Sequence, residues 1–140
     1  MDISGWNTAY RETVHDLSAV PGERRNLLLL LVGDLTEAVP EWPRLLRALH
    51  GWFRSGTDHL PDDPRVAAIR RLLAAERPDL AHWWRCRAVA DFASTTLEVR
   101  GVPMTLSLLR PDASADAAVL ACTPVRASSA PPAAERLRSG

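Results

Sequence analysis

An α+β domain, four to five helices packed on one face of a small antiparallel sheet, is the fold class this sequence predicts. Apolar residues recur at helical spacing up to about residue 85, and after Val89 the pattern changes to strand-like alternation. Strands gathered after helices, rather than alternating with them, exclude a parallel α/β sheet and point to a segregated α+β arrangement. A chain of 140 residues is the size of one domain and buries roughly 70% of the surface its unfolded form exposes.

Each element has a local reason. Ser4 is expected to cap a first helix carrying Trp6, Tyr10, Val14 and Leu17 on one face, broken by Pro21-Gly22. A second helix is expected over Glu23 to Val32, buried on nearly all sides because its second half is wholly apolar, and stopped by Gly33 and Asp34. The third, from about Glu41 to Ser55, is the clearest amphipathic helix. Trp42, Leu45, Leu46, Leu49, Trp52 and Phe53 form its stripe, Arg44, Arg47, His50 and Arg54 fill the other face, and Gly56 is expected to end it. Asp63-Pro64 places a cap before a proline at the first helical position, and Val66, Ile69, Leu72 and Leu73 give the fourth helix its buried face. Pro78 restarts the chain as a short helix through Trp84.

The strand reading begins at Thr96-Leu97-Glu98-Val99, turns at Arg100-Gly101 and returns over Val102 to Leu109, with Met104, Leu106 and Leu108 on one face. A polar loop at 111–116 leads to a third strand over Ala117 to Thr123. Residues 1–124 are therefore read as the domain and 125–140, rich in Ala, Ser, Pro and Arg, as a disordered tail.

The composition removes several functions. Net charge is zero and all 17 basic residues are arginine, so the whole molecule has no electrostatic pull toward DNA or an acidic membrane. Two cysteines, Cys86 and Cys122, make no disulfide framework. The N-terminus lacks a basic-then-apolar signal pattern, and the apolar run Leu27 to Val32 falls far short of the ~20 residues that span a bilayer. The expected location is the cytoplasm.

His82 stands four residues before Cys86, a spacing that could pair thiolate and imidazole on one helix face, but no third orienting group or oxyanion donor is recognisable. His15, His50, His59 and His82 show no metal-site spacing. Asp62-Asp63 belongs to helix capping, and the six arginines between Arg65 and Arg87 read as a solvated helix face rather than a phosphate site. No enzyme activity, catalytic residue, metal or cofactor is expected.

Five landmarks run along the chain in order: Trp6-Asn7, Arg25-Asn26, Pro40-Glu41-Trp42, Pro61-Asp62-Asp63-Pro64, and Trp84 before the strands. Their order and spacing resemble the ligand-binding domain of MmyB-like (XRE-type) transcription regulators over about residues 4 to 124. The resemblance implies a PAS-like fold with a hollow between helices and sheet for a small apolar ligand, a fatty acid being the type expected. Trp42, Leu46, Leu49 and Phe53 would line it on one side and Leu97, Leu106 and Leu108 on the other. The same residues also have the composition of ordinary core. Arg87 stands where the family tends to have His, and is the cation expected to hold a carboxylate head.

The family's helix-turn-helix and its strand before Trp-Asn are missing from this chain, which fits either a stand-alone domain or a coding start placed too far downstream. The function implied is effector sensing without a DNA-binding domain in this chain, acting through a separate DNA-binding subunit or a homodimer. The alternative is a ligand-free dimerisation or protein-interaction module. DNA binding by this chain alone should be weak and without sequence preference, because little counterion release is available to drive it. In a mobility-shift assay, nanomolar protein should leave a defined operator unshifted.

Overall fold

The computed structural model describes residues 1–83, 92, 94–109 and 118–125. Helices fill the first part: α1 (Thr8–Thr13), α2 (Leu27–Val32), α3 (Trp42–Thr57) and α4 (Pro64–Glu76), with 3-10 turns at Leu17–Ala19, Gly22–Arg24 and Pro78–Leu80. An antiparallel sheet follows, β1 (Ser94–Val99), β2 (Val102–Leu109) and β3 (Val119–Pro124), in the order β1-β2-β3. The α+β class and the segregation of helices from strands are as expected, and the arrangement fits the PAS-like reading.

The helix starts differ in an instructive way. Asn7, not Ser4, caps α1, its Oδ1 accepting the Tyr10 N–H at 2.8 Å. Trp6 therefore precedes the helix and Leu17 falls in a separate 3-10 turn. The second helix is likewise shorter than expected, because Asn26 takes the cap and leaves Gly22–Arg24 as a 3-10 turn ahead of it. In both places an Asn whose side chain can reach a free N–H of the first turn fixes the start. Gly56 does not end α3; the helix passes through it to Thr57 and closes at Asp58, whose N–H donates to the Arg54 carbonyl at 2.8 Å. A single helical glycine costs only about 1 kcal/mol, which the buried face of this helix outweighs. Asp63 caps α4 as expected, its Oδ1 accepting from Arg65 N–H and Val66 N–H.

All six residues of α2 are buried, and Leu28, Leu29, Leu30 and Leu31 are at most 1% exposed. A helix this short has no stability of its own; its place is set by packing against α3 and α4. At its start sits Asn26, a fully buried amide. Its Oδ1 accepts from Leu28 N–H at 3.0 Å and its Nδ2 donates to Asp2 Oδ1 at 2.8 Å. Asp2 is gripped in turn by Arg65, Nε to Oδ2 at 2.9 Å and Nη2 to Oδ1 at 2.6 Å, while Arg65 Nη1 donates to the Glu23 carbonyl. Those Arg65 bonds, with a smaller part from Asn26, hold the Asp2 carboxyl below the usual carboxylate range. Backbone bonds from Ile3 N–H to Arg25 O (2.8 Å) and Leu27 N–H to Met1 O (3.2 Å) make a one-residue antiparallel bridge, Asp2 to Asn26.

In the sheet, Leu97 pairs Met104 and Leu106 pairs Cys122, and this face turns toward the core. Thr96, Thr105 and Thr123 stand on the other face. The β1–β2 hairpin closes through Arg100 (φ 50) and Gly101 (φ 81), two residues in the left-handed region that a two-residue turn of this hand requires. One edge of β1 is covered by the segment before α3: Arg100 N–H donates to Ala38 O at 2.7 Å and Glu98 N–H to Glu41 Oε2 at 3.2 Å.

The expected loop at 111–116, the tail from 126 onward and Trp84 lie outside the described residues. Replacing Asn26 by Ala removes a helix cap and the one bond between α2 and Asp2, whose oxygen Arg65 still holds, so Asn26→Ala should lower the unfolding free energy by about 1 kcal/mol. Urea denaturation of the variant beside the wild type measures this directly.

Candidate ligand-binding site

Where the first turns of α3 face β1, the surface folds inward into a cleft of about 220 Å³. Glu41, Arg44, Leu45 and Ala48 line it from the helix, a run spaced three, one and three that falls on a single helical face. Phe92 and residues Ser94 to Leu97 line it from the sheet side. The floor is apolar, made by buried Leu45, Phe92 and Leu97 with half-buried Ala48. The rim is polar, with exposed Glu41, Arg44, Ser94 and Thr96. Glu41 has a double part, because its Oε2 also accepts the Glu98 N–H and so ties the helix start to the strand beside the cleft.

A second hollow lies among Leu46, His50, Leu73, Arg77, Leu80 and Trp83, but its volume of about 10 Å³ is no more than one water needs. His50 was expected on the polar face of α3 and is instead 6% exposed. Burial, with Arg54 and Arg70 adding to it and Asp58 opposing, lowers its pKa to about 4. On β3, burial pushes the Cys122 thiol up, so it stays protonated at neutral pH. Tyr10, near it, is raised to about 12 for the same reason.

The residues expected to line a ligand hollow are divided by the structure. Leu97 lines the cleft and Leu46 borders the small hollow. Leu49, Phe53 and Leu106 are buried in the core at 0%, 4% and 4% exposure, and Leu108 packs half-buried against it. Trp42 is half-buried, with the Arg77 guanidinium 4.2 Å from its ring centre. Arg87 and Cys86 lie outside the described residues; His82 Nδ1 sits 3.1 Å from the Asp79 carbonyl. Leu45 was recognised only as part of the general stripe. The sequence pattern places Arg44 on the solvated face and does not mark Glu41, Ala48, Phe92 or Ser94 to Thr96 as lining residues. The three-one-three spacing of 41, 44, 45 and 48 is the signal that could have found them.

The landmark residues turn out to support the scaffold. Arg25 lies over the Trp6 ring at 5.4 Å, joining two of them, and Asn7, Asn26 and Asp63 are helix caps. The arginines between 65 and 77 are largely engaged: Arg65 with Asp2, Arg70 with Asp58, and Arg77 with both Asp79 and Trp42. Among the described residues, no three His, Cys, Asp or Glu side chains are grouped to hold a metal, and no helix is long and apolar enough to cross a membrane.

An α+β body with an amphipathic cleft at the meeting of helix and sheet has the build of a small-molecule-binding domain. Over residues 1–138 the chain matches the family model of the MmyB-like transcription regulator ligand binding domain, and it belongs to that family. No curated protein and no solved structure matches it at a significant level.

His50 carries a pH signature. Its folded pKa of about 4 lies below the unfolded value near 6.5, so only the unfolded chain takes up this proton between those limits. The associated stability is complete above about pH 6.5 and is lost as pH falls toward 4, at roughly 1.4 kcal/mol per unit. Urea melts at pH 7, 5.5 and 4.5 should show this slope in the wild type and lose it in His50→Gln.

Proposed function

We propose that this domain senses a small apolar or acyl-chain ligand, bound in the cleft between α3 and β1, and passes its occupancy to a DNA-binding partner. That partner is a separate subunit or a second copy of the chain, and the cytoplasm is the expected setting. Cofactor-free sensing rather than catalysis is the reading we favour. The observation that carries it is the cleft itself: about 220 Å³ with an apolar floor and a polar rim, in a chain whose family is defined as a ligand-binding domain of transcription regulators. Apolar floors supply affinity and a few polar groups supply orientation in such sites.

Position supports the reading as well. The cleft is lined by Glu41, which holds Glu98 N–H; Ala38, three residues earlier in the same segment, accepts from Arg100 N–H. A ligand entering there touches the join between the helices and the sheet, so its differential contacts can shift that join. The second reading, an interaction module without ligand, rests on exposed Leu109 and Val119, paired across β2 and β3 at 54% and 56% exposure.

Ala48 separates the two. It is half-buried at the cleft, so Ala48→Phe should fill the space while changing the unfolding free energy by less than about 1 kcal/mol. The wild type should bind a saturated fatty acid by calorimetry, or release one in native mass spectrometry, and the variant should not. A wild type that carries and binds none, yet forms a dimer abolished by Leu109→Glu, would leave the interaction module standing.

A further inference from the structure

β3 stands last in the sheet order β1-β2-β3, and the phase of its ladder shows which backbone groups it leaves over. Val125 N–H donates to Pro103 O at 2.9 Å and continues the register in which Thr123 faces Thr105 and Ala121 faces Ser107. Along an antiparallel ladder, pairs that exchange hydrogen bonds alternate with pairs that do not. Val119, Ala121 and Thr123 therefore bond to β2, and the N–H and C=O of Leu120 and Cys122 point to the free margin. Among the described residues nothing bonds those groups. The opposite margin differs: on β1, Ala38 and Glu41 take up Arg100 N–H and Glu98 N–H.

β3 also lacks most of the devices that keep an edge strand single. It reads Val-Leu-Ala-Cys-Thr-Pro, with no charged side chain and no bulge in its register. Val119 and Val125 are 56% and 46% exposed. The strand's one stop is Pro124, which stands at an outward position and has no N–H to give. The stretch free to pair is thus 119–123, and its middle residue is Ala121.

That stretch is complementary to itself. Laid antiparallel on a second copy about a two-fold axis at Ala121, Leu120 exchanges both backbone bonds with the partner's Cys122, and symmetry forms the converse pair. On the outer face, Val119 comes opposite the partner's Thr123 and diagonal to the partner's Val125. We propose that this chain forms a homodimer by pairing β3 with β3 of a second copy, joining the two sheets into one. Head-to-tail growth is disfavoured, because a strand added at the hairpin end of β1 would have to displace the segment holding Arg100 and Glu98. This gives the second copy named above its interface. A dimer without ligand binding leaves it standing, and its failure leaves the cleft reading intact.

Sedimentation across a wide concentration range should show monomer and dimer and nothing larger. Hydrogen exchange should slow at the Leu120 and Cys122 amides as the dimer forms. On the axis, Ala121→Cys places two thiols on a non-hydrogen-bonded pair with Cα atoms about 4.5 Å apart, a span a disulfide bridges. Mild oxidation should link two chains at position 121, read by peptide mass spectrometry with the wild type as background for Cys86 and Cys122. Ser107→Cys, one strand further in on the same face, should not link. Ala121→Arg sets like charges side by side on the axis and should leave a folded monomer, its far-UV spectrum unchanged. A chain still monomeric at millimolar concentration overturns the proposal. So does a dimer whose Leu120 and Cys122 amides exchange freely, or one in which Ala121→Cys and Ser107→Cys link alike. Protection of those two amides in a monomer would assign the edge to a segment of the same chain and overturn it as well. Species larger than a dimer would overturn the closed pairing.

Discussion

The buried amide of Asn26 is the interaction on which the rest of the helical body depends. A polar side chain with no exposure is tolerated only when its hydrogen-bonding groups are answered. Here the oxygen closes the first turn of α2 and the nitrogen reaches Asp2, which Arg65 grips from the start of α4. Three segments distant in sequence are therefore joined through one amide and one carboxylate. Asn26 is acceptable inside the protein because Asp2, at the surface and gripped by Arg65, answers its nitrogen. α2, only six residues long, is positioned by this joint and by apolar packing, and α3 and α4 are packed on α2.

The placement of α3 then decides where the cleft opens. One face of that helix is committed to the core through Leu46, Leu49 and Phe53. The neighbouring face, Glu41, Arg44, Leu45 and Ala48, looks onto β1. α3 is thus a wall of the core and a wall of the cleft at once. Among the described residues, Arg65, Arg70 and Arg77 of α4 and its flank meet carboxylates, and Arg77 also lies over Trp42, whereas Arg44 at the cleft meets no carboxylate.

How much of this was legible in the sequence follows from which signals are local. Periodicity placed the helices, the hairpin and its turn, because an Asp-Pro start and an Arg-Gly turn act over a few residues. Helix starts were less legible, since Ser4 and Asn7 are both good caps and only the fold decides which N–H is left to satisfy. The ordered landmarks were enough to recognise the family, yet in the structure Trp6, Asn7, Arg25, Asn26 and Asp63 cap and brace rather than touch the cleft. The cleft residues were hard to find because a binary pattern tells apolar from polar, not packed from accessible. Leu45 and Leu49 look alike in the sequence, but Leu45 lines the cleft and Leu49 is sealed in the core. Phe92, placed between the helical and strand patterns, carried no periodic signal at all.

The covering of β1 has a bearing on self-association. An uncovered outer strand is an invitation to sheet extension, in which a neighbouring chain adds its own strand and repeats the process. In this protein the Ala38 carbonyl and the Glu41 carboxylate take up Arg100 N–H and Glu98 N–H along that margin. Strand addition at the hairpin end of β1 would therefore have to displace the short segment that opens α3. The hold at Ala38 therefore keeps the hairpin end of that margin closed to a neighbouring chain as well as fixing the join of helix and sheet.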